Sequence, residues 1–141
     1  MTPGAIALGS NLGDRERYLR DAARLAGAFI GNLRLSAFHD TAPVGVRAQP
    51  RFLNAAAAGE TRLDARALLD ALLRVEASLG RERPFAGAPR TVDLDLILYG
   101  DSVIDEPGLV VPHPRFRERR VVLTPLAEVA GDWRDPVTGL T

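Results

Sequence analysis

Thr91-Val92-Asp93-Leu94-Asp95-Leu96-Ile97-Leu98-Tyr99 alternates between apolar and polar side chains with a period of two. Successive side chains of a strand point to opposite faces, so Val92, Leu94, Leu96 and Leu98 are predicted on one face and Asp93, Asp95, Ile97 and Tyr99 on the other. Just upstream, Asp64 is a good N-cap for a helix whose Ala67, Leu68, Leu72, Val75 and Leu79 recur at three- and four-residue steps until Gly80. Before that helix, residues 52–61 read as a strand, although four consecutive alanines in it are poor strand formers. Leu33, Leu35 and Ala37 alternate with Arg34, Ser36 and Phe38 as an earlier strand. At the start, the apolar residues 5–8 end at Gly9, and Asp14 opens a helix with Tyr18, Leu19, Ala22, Ala23, Ala26, Phe29 and Ile30 on its spacing.

The resulting order is βαββαβ, the split βαβ or ferredoxin-like arrangement of the α+β class. Its helices pack on one side of a mostly antiparallel sheet, which leaves the other face for chemistry. Beyond Gly100 a C-terminal extension is expected, with a short strand over 109–111, one or two helices over 116–130 interrupted near Pro125, and an irregular tail.

The 141 residues, 46% apolar and 26% charged, suit one domain, residues 1–141, with its own core. Eighteen acidic residues cancel eighteen basic ones, which removes the bulk positive field of a protein that coats nucleic acid or an anionic membrane. Every basic residue is Arg, so no lysine nucleophile or Schiff base is available. With no Cys there is no disulfide, thiolate metal site or cysteine nucleophile. The N-terminus lacks a basic n-region and no apolar run reaches membrane-spanning length, so a cytoplasmic protein is expected.

Two aspartates on one strand face cost desolvation and mutual repulsion unless a cation or solvent compensates. Asp93 and Asp95 are two apart, about 6.6 Å at Cα, and their carboxylates can converge on a hard cation such as Mg²⁺. The alternative is an exposed edge strand with solvated acids. Arg81, Arg83 and Arg90 punctuate a Pro- and Gly-containing loop beside that pair. Magnesium and a polyphosphate together need both signs, carboxylates for the metal and forked guanidinium donors for phosphate oxygens. Alone, such a loop is equally a solvated charged surface.

His113, between Pro112 and Pro114 and followed by Arg115, Arg117, Arg119 and Arg120, is either a donor or acid-base group near phosphate or a structural hydrogen bonder. His39 lacks such company. The Gly9–Gly13 segment has no Gly-Lys-Ser/Thr ending and reads mainly as a tight turn. Asn54 offers a donor and an acceptor suited to a heterocycle edge, with Phe52 as a stacking surface, or serves as a turn residue.

In chain order, Ala7-Leu8-Gly9-Ser10-Asn11-Leu12-Gly13, Thr41-Ala42-Pro43-Val44-Gly45, Phe52-Leu53-Asn54-Ala55, Arg74-Val75-Glu76, Gly80-Arg81, Pro89-Arg90-Thr91-Val92-Asp93-Leu94-Asp95-Leu96, Val111-Pro112-His113 and Pro125-Leu126-Ala127-Glu128 closely resemble the 6-hydroxymethyl-7,8-dihydropterin pyrophosphokinases of folate biosynthesis. That resemblance implies transfer of the β,γ-diphosphate of ATP to the pterin hydroxymethyl oxygen, with release of AMP. It implies two Mg²⁺ ions held by Asp93 and Asp95, with Arg81, Arg90 and His113 completing the catalytic set. Glu76, Arg81, Arg83, Arg90, His113 and Arg119 would then face ATP. Thr41, Pro43, Val44, Phe52, Asn54 and Val121 would face the pterin. Val121 stands where the family usually has a stacking Phe, and Gly87-Ala88 replaces a common Trp-Gly before Pro89-Arg90. Monomeric action on small molecules, without nucleic acid or membrane, is expected. The competing readings are another Mg²⁺-dependent phosphoryl or nucleotidyl transferase, and a non-catalytic ferredoxin-like ligand-binding module.

Overall fold

The computed structural model describes residues 1–10, 14–41, 52–79, 92–113, 120–131 and 133, with the backbone alone for Thr41, Phe52 and residues 120–124. The elements are β1 (Thr2–Ser10), α1 (Arg15–Ala26), β2 (Gly31–Leu35), β3 (His39–Thr41), β4 (Phe52–Thr61), α2 (Ala65–Ser78), β5 (Asp93–Tyr99), β6 (Ile104–Glu106), β7 (Leu109–Val111) and α3 (Arg120–Ala130). The main sheet runs β2-β4-β1-β5 with every pairing antiparallel, and β3 joins the same edge of β4 as β2. This is the expected ferredoxin-like architecture. No helix among the described residues is long and apolar enough to cross a membrane.

Both inner helices start as their sequences predict. Asp14 accepts the Arg17 N–H at 3.2 Å and Asp64 accepts the Ala67 N–H at 2.7 Å, each satisfying a donor that the first turn leaves without a partner. Helix α1 stops earlier than its apolar spacing suggests, because the chain turns after Gly27; Ile30 still reaches the core from the turn. Leu19, Ala22, Ala26, Leu68, Leu72 and Val75 bury one sheet face together with Ile6, Leu8, Ala55, Ala57, Leu94 and Leu96.

On the opposite face, Leu126, Val129 and Ala130 of α3 cover Ala5, Ala56, Ala58, Ile97 and Leu98. That face is therefore shared, one end taken by α3. The four alanines of β4 form a strand despite their propensity because it is central and covered on both faces. Ala55 and Ala57 face α1 and α2, Ala56 and Ala58 face α3, and all four are buried. Gly59 beside them is required by close packing, since a Cβ there would lie 2.4 Å from the Gly31 carbonyl oxygen.

Four expectations need correction. The strand expected through Ala37 breaks after Leu35. Ser36 seals the break by donating its N–H to the Ala56 carbonyl and accepting the Ala56 N–H on Oγ, and β3 then resumes the edge. The hairpin β6–β7 supplies one strand beyond that expected over 109–111. Helix α3 is continuous through Pro125, which sits fully buried inside it. Finally, Ile6 pairs with Leu96 but Ala5 pairs with Leu98, so Ile97 is a bulge residue. The bulge turns Leu98 onto the aspartate face under α3 and Tyr99 onto the helix face, where its hydroxyl donates to the Leu63 carbonyl.

Candidate active site

The register places the candidate residues in rows across the sheet. Asp93 pairs with Gly9, Gly9 with Asn54, and Asn54 with His39. Cross-strand partners share a face, so Asp93, Asn54 and His39 project on the side away from α1 and α2. Gly9 contributes no side chain, so among the described residues a trough about 10 Å wide at Cα separates Asp93 from Asn54. The next row holds Asp95, Ala7 and Ala56. Beyond it α3 closes over Ala5, Ala58 and Leu98. Both aspartates are half-buried.

The edge strand β5 is fixed from outside the ladder. Glu76, only 3% exposed on α2, accepts the Leu94 N–H on Oε2 at 2.6 Å, and Leu94 lies between the two aspartates. Glu76, expected beside the nucleotide, turns one carboxylate oxygen into the strand that carries the acidic pair. At the bulge, the Ile97 carbonyl accepts the His113 N–H at 3.0 Å, so the half-buried histidine is attached to the same strand as the aspartates. The Val111–Pro112 peptide before it is cis.

At the other end of the row, the three-residue β3 places Thr41 opposite Phe52 and His39 opposite Asn54. Glu128 of α3 contacts His39 Nε2 through Oε2 at 2.6 Å and accepts the Ala37 N–H on Oε1 at 2.9 Å. The Ala37 N–H, then the His39 ring, hold the Glu128 carboxyl below its ordinary value. Sequence reasoning missed this pair. Glu128 belonged to a recognised motif, but its partner is 89 residues away and no local pattern joins them.

Asp93, Asp95, Asn54 and His113 thus have described side chains, and Thr41, Phe52 and Val121 are placed by their backbones. Arg81, Arg83, Arg90, Arg119, Pro43 and Val44 lie outside the described residues. Among the described residues no group of three or more His, Cys, Asp or Glu side chains forms a metal cluster. Two carboxylates on adjacent same-face positions nevertheless fit Mg²⁺, which keeps several waters and takes its remaining oxygens from substrate phosphates. They would not fit a dedicated all-protein metal cage.

A family model described as 7,8-dihydro-6-hydroxymethylpterin-pyrophosphokinase (HPPK) matches residues 5–131. The chain is 45% identical over 126 residues to the 2-amino-4-hydroxy-6-hydroxymethyldihydropteridine pyrophosphokinase of Bacillus subtilis, covering 88% of this chain and 75% of that protein. It is 42% identical over 135 residues to the protein of the same name from Methylorubrum extorquens, covering 94% and 85%. Among solved structures, Plasmodium falciparum HPPK-DHPS aligns with a TM-score of 0.77 at 12% identity, over 99% of this chain and 43% of the larger one, a likeness of fold.

Proposed function

Because the chain belongs to the 7,8-dihydro-6-hydroxymethylpterin-pyrophosphokinase family, we propose that the trough over Gly9 is where the diphosphate of ATP is transferred to the hydroxymethyl oxygen of 6-hydroxymethyl-7,8-dihydropterin. The reaction is an ATP-dependent diphosphotransfer in folate biosynthesis. The pterin oxygen forms a bond to the β-phosphorus, the bond from that phosphorus to the α,β-bridging oxygen breaks, and AMP leaves while the hydroxyl proton is lost. The observation that carries this reading is the row itself, with a carboxylate pair at one end, an amide at the other and glycine between.

Asp93 and Asp95 would hold two Mg²⁺ ions, which neutralise phosphate charge and align the reacting groups. The half-buried setting of the aspartates strengthens that attraction relative to bulk water. Asn54 would read the pterin edge, its carbonyl accepting and its amide donating, beside the backbone of Thr41 and with Phe52 and Val121 near the ring. Pro43 and Val44 would complete the pterin side, as the family resemblance implies. His113, attached through its own N–H to the Ile97 carbonyl, would donate from its ring to phosphate oxygens. Arg81, Arg83, Arg90 and Arg119 would bring guanidinium groups to the phosphates, stabilising charge on the departing AMP. Glu76 would act on the nucleotide side through the Leu94 amide. One domain over 1–141, acting as a monomer in the cytoplasm, completes the proposal.

The test is identification of the nucleotide product with and without the pterin. Pterin-dependent AMP supports diphosphotransfer. ADP points to a kinase, and unaltered ATP with measurable binding points to a ligand-binding module.

A further inference from the structure

Residues 36–41 form the junction between the sheet edge and the proposed pterin wall, and the described contacts hold them from both sides. On the side of α1, Arg15 reaches both carboxylate oxygens of Asp40 at 3.5 Å, and the Arg20 guanidinium lies 5.0 Å from the centre of the Phe38 ring. On the side of α3, Glu128 takes the Ala37 N–H and the His39 ring, and Arg34 donates to the Val129 carbonyl at 3.1 Å. A strand of three residues has little ladder of its own, so these contacts decide where it sits.

Three contacts join this segment to the later part of α3: Arg34 to the Val129 carbonyl, and the Ala37 N–H and the His39 ring to Glu128. Position 121 is seven residues before Glu128, two helical turns and about 10.5 Å along the same side of the helix. His39 in turn is the direct cross-strand partner of Asn54.

We propose that Glu128 and His39 are positioning residues for the pterin. Their contact ties the paired ends of β3 and β4, Thr41 and Asn54 among them, to α3 and sets the gap between that edge and position 121. The inference rests on the pterin reading given above and adds to it residues that touch neither substrate. It assigns them to one substrate only, since the Asp93–Asp95 end is fixed separately by Glu76 and the His113 backbone.

The experiment measures KM for the pterin, KM for ATP and kcat in full-length Glu128→Ala, Glu128→Gln, His39→Ala and the Glu128→Ala/His39→Ala double variant. Glu128→Ala should raise the pterin KM about 5- to 10-fold while ATP KM and kcat stay within about twofold. Glu128→Gln keeps an oxygen for the Ala37 N–H and an amide for the His39 ring, so it should restore the pterin KM to within about twofold of wild type. The double variant should be no worse than Glu128→Ala, because the contact that His39→Ala removes is already lost in Glu128→Ala. If Glu128→Ala is unfolded by circular dichroism, His39→Ala carries the same expectation. A pterin KM unmoved in the folded variants, or ATP and pterin KM rising together, would overturn the inference while leaving the functional reading standing. Wild-type protein that formed no pterin-dependent AMP would overturn both.

Discussion

Glu76→Ala is the substitution through which stability and catalysis should fall together. Glu76 is 3% exposed and its Oε2 accepts the Leu94 N–H at 2.6 Å. Leaving a buried donor without its acceptor costs about 1–3 kcal/mol, and alanine leaves the Leu94 amide so where water enters poorly. We therefore expect a loss of roughly 2–3 kcal/mol, which for a chain of this length lowers Tm by about 6–12 °C. The catalytic effect follows from position. Leu94 separates Asp93 from Asp95, and among the described residues β1 is the only ladder partner of β5 in the main sheet. Releasing the amide lets the aspartates shift together, and a displacement near 1 Å at a reacting centre costs about 10²-fold in rate. The assay is AMP release against Mg²⁺ concentration at a temperature well below the variant's Tm, beside thermal unfolding followed by circular dichroism. Glu76→Gln, which keeps an acceptor oxygen on a side chain of the same size, should retain most of both. Wild-type Tm and wild-type Mg²⁺ dependence in Glu76→Ala would refute the idea that this carboxylate fixes the acidic strand.

Asp93→Asn and Asp95→Asn should each lower Mg²⁺-dependent AMP formation by orders of magnitude with the circular dichroism spectrum unchanged; near-normal turnover at limiting Mg²⁺ in both would remove the aspartates from the metal site. Gly59→Ala brings a Cβ to 2.4 Å from the Gly31 carbonyl oxygen and 2.8 Å from Ile30 Cγ2, so β2 must move, and chemical denaturation should show a loss of about 1–3 kcal/mol. The lowered Glu128 carboxyl contributes stability that is complete above its unfolded value and disappears as pH falls through its lower folded value. Glu128→Gln should therefore flatten the acid limb of a stability-against-pH curve, and superimposable acid limbs would contradict that.

Local signals carried most of the architecture. The Asp14 and Asp64 caps, the helical spacing of Leu68, Leu72 and Val75 and the alternation from Val92 to Leu96 are properties of short windows, and each has its expected place. What sequence could not show depends on distant partners. No window around Leu98 or Tyr99 reveals the bulge, which arises from how β5 meets Ala5 and Ile6. The break at Ser36 depends on Ala56, and His39 looked isolated because Glu128 arrives from the far end of the chain. In the candidate site, Asp93, Asp95 and Asn54 stood out as polar residues in strands, whereas the joining row required a register that only the assembled sheet supplies.

The alanine run of β4 makes that strand a shim. Ala56 and Ala58 have α3 resting on them, so the height of the helix above the sheet is set by two methyl groups. A larger residue at either position would raise the helix like a thicker washer, carrying Glu128 and position 121 away from the β3 edge. On the proposed pterin reading, the width of the site would be gauged partly by the volume of side chains buried beneath α3. A drift in pterin selectivity could begin with a single methylene at Ala56, with every polar group of the pocket unaltered.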